Sequence, residues 1–336
     1  MKKILVLPVK NEEWILDKSM SCASLWADHI IVAYQESSDR TLEILKKFPK
    51  VIIVENKSTV HSSNVRKLLF DSARQFEGNN VIFSLDADEI ASSNILSEDF
   101  NRTLEELPIG AAIEMQWVNL WRSPLNYRDD SSVWSNSWKH FAFKDDRNMD
   151  YTSLGVINDH TNRVPIASVK NTHRLNNPKI LHYQYVDWQR VLSKQAYYRL
   201  SEWQQREKSL KEVLKINYRY FFSKDETGLL TKPIPQEWIK IFVDSGIDLN
   251  NFPVNSVTWF DMEVLKCFLQ YGQLAFKNLD IWDINWEEKR QLALQQGLKN
   301  LPQNEIIDPR SFVQVWYHNH QHFLQKVFAF LAPFIR

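Results

Sequence analysis

With 41 basic and 41 acidic side chains over 336 residues, the chain has no net charge, which excludes a nucleic-acid binder that relies on a basic surface. The length supports one large or two modest domains with a sizeable core. Its seven glycines, none within ten residues of another, leave no P-loop, dinucleotide fingerprint or other glycine-rich phosphate cradle.

The first ninety residues alternate. Lys3 to Val9 reads as a strand, and Asn11 caps a helix that buries Trp14, Ile15, Met20 and Leu25. The apolar run at the start is too short for a secretory signal, and Lys10-Asn11-Glu12-Glu13 follows it at once. Ile30 to Tyr34 and Val51 to Glu55 are further strands, separated by the polar turn 36–41 and a helix beginning at Leu42. Ser62-Ser63 caps a third helix with Val65, Leu68, Leu69 and Phe76 inward and Arg66, Lys67 and Arg74 outward. Strand–helix alternation of this kind predicts an α/β sandwich around a parallel sheet.

The fourth strand carries the chemistry. Val81 to Leu85 is apolar except for Ser84, fits an inner strand covered on both faces, and ends in Asp86-Ala87-Asp88-Glu89. Ligands of open α/β sheets collect beyond the carboxyl ends of strands. Asp86 and Asp88 are two apart, so an extended backbone projects both carboxylates to one side. Such a pair repels unless a cation or a proton intervenes, and Mg²⁺ or Mn²⁺ suits oxygen ligands that it shares with phosphate. A solvated acidic turn is the alternative.

Pro8-Val9-Lys10-Asn11-Glu12-Glu13, Ala27 to Val32, Ser37-Ser38-Asp39-Arg40-Thr41 and Asp86-Ala87-Asp88-Glu89, taken in order over residues 1–115, resemble the family 2 glycosyltransferases. The resemblance implies a GT-A (Rossmann-like) fold: a mixed, mostly parallel sheet flanked by helices. It also implies transfer of a sugar from a nucleotide-sugar donor, usually with inversion, assisted by Mn²⁺ or Mg²⁺. By position, Pro8, Val9 and Lys10 would line the base and Asp39 would stabilise the second loop. Arg66 would lie over base or phosphates, Asp86 would face the ribose, and Asp88 would be the direct metal ligand. The family's acid after the second strand falls here on Tyr34. Either Glu36 takes that contact, or Tyr34 stacks on the base, or the base is not uracil.

Residues 110–182 are expected to complete the sheet, with strands at 111–117 and 138–143 and a polar aromatic loop at 121–130 between them, read as an acceptor lip or plain surface. An inverting transferase needs a base within a hydrogen bond of the acceptor hydroxyl. Related transferases place a short acidic motif where Asn158-Asp159-His160 lies, which makes Asp159 the first candidate, Glu114 the second and His160 the third. The segment Ile180-Leu181-His182-Tyr183 resembles the stretch that returns a histidine to the metal, so His182 is the expected further ligand, with His173 in reserve.

Beyond Asp187 the pattern turns helical, over 187–206, 236–243, 259–277 and 286–296, the last stopped by Gly297. The division is therefore a transferase domain over 1–185 and a helical extension over 186–336 that shapes acceptor choice or assembly. Nothing in the extension resembles the family. His318, His320 and His322 read as an exposed polar turn. The apolar run 323–336 either docks on the helical half or inserts shallowly in a membrane interface. No run reaches the roughly 18 apolar residues that a span requires. Cys22 and Cys267 read as reduced thiols, and the cytoplasm is the expected address, with peripheral contact at the inner membrane face through the C-terminus.

The chain thus reads as a metal-dependent glycosyltransferase acting on a glycan or lipid-linked acceptor, with no nucleic-acid partner. Two rivals stand beside it. One is a glycan-binding or scaffolding protein with a decayed donor site; the other is a nucleotidyltransferase, which normally needs glycines after the first strand.

Overall fold

The computed structural model describes residues 1–57, 63–150, 156–157, 160–221, 226, 228–253 and 256–316. The chain opens β1 (Lys3–Val9), α1 (Glu13–Trp26), β2 (His29–Tyr34), α2 (Thr41–Leu45), β3 (Val51–Glu55), α3 (Ser63–Ala73), β4 (Val81–Ser84) and β5 (Glu89–Ala91). It continues with α4 (Glu98–Glu106), β6 (Ala112–Asn119), β7 (Asn126–Arg128), β8 (Ser137–Lys144), β9 (Val156–Ile157), β10 (His160–Thr161), α5 (Ile166–Val169) and β11 (Thr172–His182). The remaining elements are α6 (Trp188–Gln205), α7 (Leu210–Phe221), β12 (Thr231–Pro233), α8 (Lys240–Asp244), α9 (Trp259–Tyr271) and α10 (Trp286–Gln295).

An eight-stranded sheet in the order β3-β2-β1-β4-β8-β6-β11-β5 organises the first half. β1 to β4, β6 and β11 run parallel, while β8 and β5 are reversed. The fold class is the expected one: a mixed, mostly parallel sheet flanked by helices, followed by a helical region. The inner strands β1, β2 and β4 are buried on both faces, as their Val, Ile, Leu and Phe runs predict. Leu5, Leu7, Val32 and Phe83 pack with Leu16, Met20 and Trp26 of α1, whereas Ile4, Val6, Ile31 and Ile82 pack with Val65, Leu69 and Phe70 of α3.

The chain divides into two compact units. One comprises Met1–Trp188 and Glu226–Asn255, so a later segment returns to the sheet-bearing unit. There β12 pairs with β7, and Ile234, Trp238 and Phe242 join Trp14, Ile15 and Tyr183 in a separate core. The other unit comprises Gln189–Asp225 and the chain from Ser256 onward. Its core is aromatic: Phe268 stacks on Trp282 at 5.5 Å and meets Trp286 edge-on at 5.6 Å. Thr258 and Asp261 cap α9 reciprocally.

Several local expectations need correction. Leu25 is exposed, and α1 buries Trp26 and Ala23 instead. Asn11 does not cap α1; it adopts φ +53°, a conformation that asparagine tolerates, and its Oδ1 accepts from Ser38 N at 2.7 Å. The helix expected over 259–277 stops at Tyr271, because Gly272 takes φ +74° and the chain re-enters as a 3₁₀ turn. The helix expected over 236–243 is a 3₁₀ turn, Gln236–Trp238, followed by the short α8.

Candidate active site

The acidic turn sits where β4 ends, and its two sides differ. Glu89 N donates to Asp86 O at 3.1 Å, closing a turn over Ala87 and Asp88. The Glu89 carboxylate reaches back to accept from Asp86 N at 2.8 Å. Arg163 then ties the two acids together, donating to Glu89 Oε2 at 2.6 Å and to Asp86 Oδ2 at 2.6 Å. Arg66 holds the other Asp86 oxygen at 2.5 Å and donates to Ser84 Oγ at 3.0 Å. Both oxygens of Asp86 are therefore ion-paired, and Glu89 is fully enclosed. Burial lowers the Arg66 pKa, with Arg163 adding to that and Asp86 opposing it. Burial acts the same way on Arg163, but Asp86 and Glu89 outweigh it and the pKa is raised.

Arg66 was expected on the outward face of α3, yet it is 5% exposed and turned toward Asp86. Helical periodicity alone does not reveal that a carboxylate stands beyond the neighbouring strand. Arg163 escaped the sequence reading altogether, since an isolated arginine beside a short hairpin carries no motif.

Asp88 faces another environment. It is 8% exposed, and its Oδ2 lies 3.7 Å from His182 Nε2. Strand register explains the approach: β11 lies antiparallel to β5 with His182 opposite Glu89, and parallel to β6 with His182 opposite Asn119. Asn119 Nδ2 donates to Trp134 O at 2.8 Å, which points its Oδ1 at His182 Nδ1, also 2.8 Å away. Nδ1 therefore carries the proton, and in neutral His182 the Nε2 lone pair faces the Asp88 carboxylate. Two acceptors opposed beyond hydrogen-bond range fit a cation between them. Among the described residues no cluster of three or more His, Cys, Asp or Glu could hold a metal by itself. A two-residue donor set of one carboxylate and one imidazole suits a Mn²⁺ or Mg²⁺ ion that shares its other positions with water and phosphate.

Between these sides stands Trp117. β6 lies between β8 and β11, so Lys139 reaches Trp117 from one neighbouring strand and His182 from the other. The Lys139 ammonium is 3.2 Å from the indole centroid, and the His182 ring stacks on the indole at 4.3 Å. Burial and then the nearby Arg163 bring the Lys139 pKa down to about 8, against the opposing pull of Glu89 and Asp86. Trp117 Nε1 has no acceptor among the described residues.

Glu114, the second candidate base, is held away from this group. Alternation along β6 turns it to the face opposite Trp117, where Arg174 donates to it at 2.6 Å. His173 lies at the other end of β11, opposite Ile113 rather than Asn119. Asp159 and the histidines at 318, 320 and 322 fall outside the described residues, as does the apolar run 323–336. For His160 the backbone alone is described, pairing with Ile157.

Four parallel strands are ordered 3-2-1-4, with a reversed strand beside the fourth and an acidic turn at the fourth strand's end. The chain has the strand arrangement that the resemblance to GT-A transferases implies. Solved structures similar to it include S. aureus TarS 1–349 in complex with UDP, at 14% identity over 92% of this chain and 95% of that one, TM-score 0.38. Glucosyl-3-phosphoglycerate synthase from Mycobacterium tuberculosis, in complex with phosphoglyceric acid, shares 20% identity over 26% of this chain, TM-score 0.22. The match spans about a third (34%) of that synthase's length. A third, 4-diphosphocytidyl-2C-methyl-D-erythritol synthase, shares 12% identity over 52% of this chain and 88% of that one, TM-score 0.34. No family model matches the sequence, and no curated protein does.

At the carboxyl ends of β1 and β2, the loops that follow are laced together. Asn11 N donates to Ser37 Oγ at 3.0 Å, Glu12 N to Thr41 Oγ1 at 2.9 Å and Glu13 N to Asp39 Oδ2 at 3.1 Å. Asp39 also accepts from Thr41 N at 3.0 Å, so one carboxylate serves the starts of both α1 and α2. Val9 is buried, Pro8 and Lys10 are half-buried, and Glu36 is exposed. Tyr34 packs against the core while its hydroxyl accepts from Ser37 N at 3.1 Å. In the 121–130 loop Trp121 is buried, stacked on Tyr185 at 4.6 Å with Arg128 at 4.6 Å from its ring, so this indole is a packing residue. Among the described residues no helix is long and apolar enough to cross a membrane.

Proposed function

We propose that the protein is a metal-dependent glycosyltransferase that moves a sugar from a nucleotide-sugar donor to a glycan or lipid-linked acceptor, with inversion. The opposition of the Asp88 carboxylate and the His182 Nε2 lone pair, imposed by Asn119 and Trp134, carries the reading. Asp88 and His182 would hold the ion, which when bound supplies positive charge opposite a departing diphosphate. Asn119 keeps the imidazole in the ligating tautomer. Asp86, fixed by Arg66 and Arg163, presents a rigid acidic edge toward the ribose. Pro8, Val9, Lys10 and Glu36 line the base side, with Asp39 bracing their loops. Asp159 is the proposed base that takes the acceptor proton. The sheet-bearing unit forms the transferase, and the helical unit shapes acceptor choice or assembly.

The neighbours lend the reading company. One TarS structure is a complex with UDP, and one structure of the mycobacterial synthase contains Mn²⁺, UDP and glucosyl-3-phosphoglycerate. Calorimetry with UDP-, GDP- and CMP-linked sugars in the presence and absence of Mn²⁺ tests it. Metal-dependent binding of one donor is the expected result. Failure of every donor would instead favour the glycan-binding alternative, which the Tyr34 hydroxyl, engaged where the family has an acid, also supports.

A further inference from the structure

The cations around the acidic turn are not equivalent. Arg66 and Arg163 spend their charge on Asp86 and Glu89. Lys139 makes no hydrogen bond or ion pair among the described residues; its contact is the face of Trp117, and one indole ring separates it from His182. Two donors around that ring, Lys139 Nζ and Trp117 Nε1, thus have no acceptor among the described residues. A partly desolvated ammonium held on an aromatic face, with its hydrogens uncommitted, is poised for an incoming anion. The surrounding acids do not take that place, because the two arginines already bind them.

We propose that Lys139 is a phosphate-binding residue of the donor site, pairing with the sugar-side phosphate of a nucleoside diphosphate group bound beside Asp88 and His182. This inference rests on the donor-site reading above. In it Trp117 is a spacer that keeps the ammonium off the imidazole while setting its distance from the phosphate. Lys139 and the metal site then share the charge of the leaving diphosphate from two sides, and no proton need move.

The test is calorimetry on the full chain with Mn²⁺, comparing UDP, GDP and CDP with the corresponding nucleosides. Lys139→Met keeps the aliphatic stem on Trp117 and should weaken diphosphate binding by about tenfold or more, the scale of a charge-assisted hydrogen bond. Nucleoside binding should stay unchanged, and Lys139→Arg should restore most of the diphosphate affinity. As a check needing no variant, acetic anhydride labelling of the wild-type chain read by mass spectrometry should show Lys139 protected by the diphosphate with Mn²⁺ but not by the nucleoside. Equal diphosphate affinity for wild type and Lys139→Met, or labelling unaffected by diphosphate, overturns this inference alone. Absence of diphosphate binding by the wild type overturns the donor-site reading and this inference with it.

Discussion

Asp86 and Asp88 are two residues apart in one turn, yet they belong to opposite electrostatic regimes. Each oxygen of Asp86 is paired with a buried guanidinium group, while Asp88 faces an imidazole lone pair held in place from behind. The difference teaches that a D-x-D pattern need not be a matched pair: one acid is tied to two arginines and the other is turned to an imidazole. The sharpest break would come from removing each side separately. Asp88→Ala should reduce sugar transfer on the order of 10³-fold or more, by withdrawing a ligand from the charge that stabilises the leaving diphosphate. Its urea midpoint should stay close to wild type. Near-normal turnover would place the metal elsewhere.

The opposite signature is expected at Arg163. Arg163→Met leaves Glu89, whose side chain is 0% exposed, without its bidentate partner. A buried charge stranded in this way costs about 3–5 kcal/mol. Urea denaturation should show the loss as a lowered midpoint with an unchanged slope. A variant of normal stability would mean that Glu89 is not held as an ion by Arg163. Between these extremes lies Asn119, whose side chain hydrogen-bonds Trp134 and His182. Asn119→Leu removes the acceptor that fixes the His182 tautomer and should weaken Mn²⁺ binding by about 10–100-fold. Asn119→Asp keeps an acceptor toward Nδ1 and should lose far less, and calorimetric titration of Mn²⁺ separates the two.

What could be read in the sequence follows the same division. The inner strands announced themselves because strands buried on both faces are dominated by apolar residues, as Val81, Ile82, Phe83 and Leu85 show. The acids at the strand's end were visible for the same reason, as an abrupt change of character. Asp39 and Asn11 were conspicuous, but their partners were not: the lacing of Glu13 N and Ser38 N onto them depends on two loops meeting across the sheet edge. Arg66 was read as outward and Arg163 was missed because a lone cation on a helix or a turn reads as solvated, and its value lies in what stands opposite. β11 was legible only over its last residues, since its first half is half-exposed and polar. Glu114 shows the converse failure. It sits in a strand that enters the site, but alternation sends its carboxylate to the other face.

The smallest effect, and the finest probe of the contrast between committed and uncommitted cations, concerns pH. Lys139 has a pKa lowered to about 8, by burial first and by Arg163 second, while Glu89 and Asp86 oppose the shift. Among the described residues His182 stands across Trp117 from it. Below about pH 8 the ammonium is charged and ready for phosphate, and above it the charge is lost. Nucleoside diphosphate affinity in the wild type should therefore fall by about tenfold as pH rises from 7 to 9, and Lys139→Met should flatten that profile. Stability should move the other way. Between about pH 8 and the ordinary lysine value the unfolded chain binds more protons than the folded one, so this residue makes folding more favourable as pH rises. The arginines offer no such titration, since both stay charged beside their acids. Diphosphate affinity that holds constant to pH 9 would remove Lys139 from the binding site, whereas opposite slopes for affinity and stability would trace both to one ammonium group.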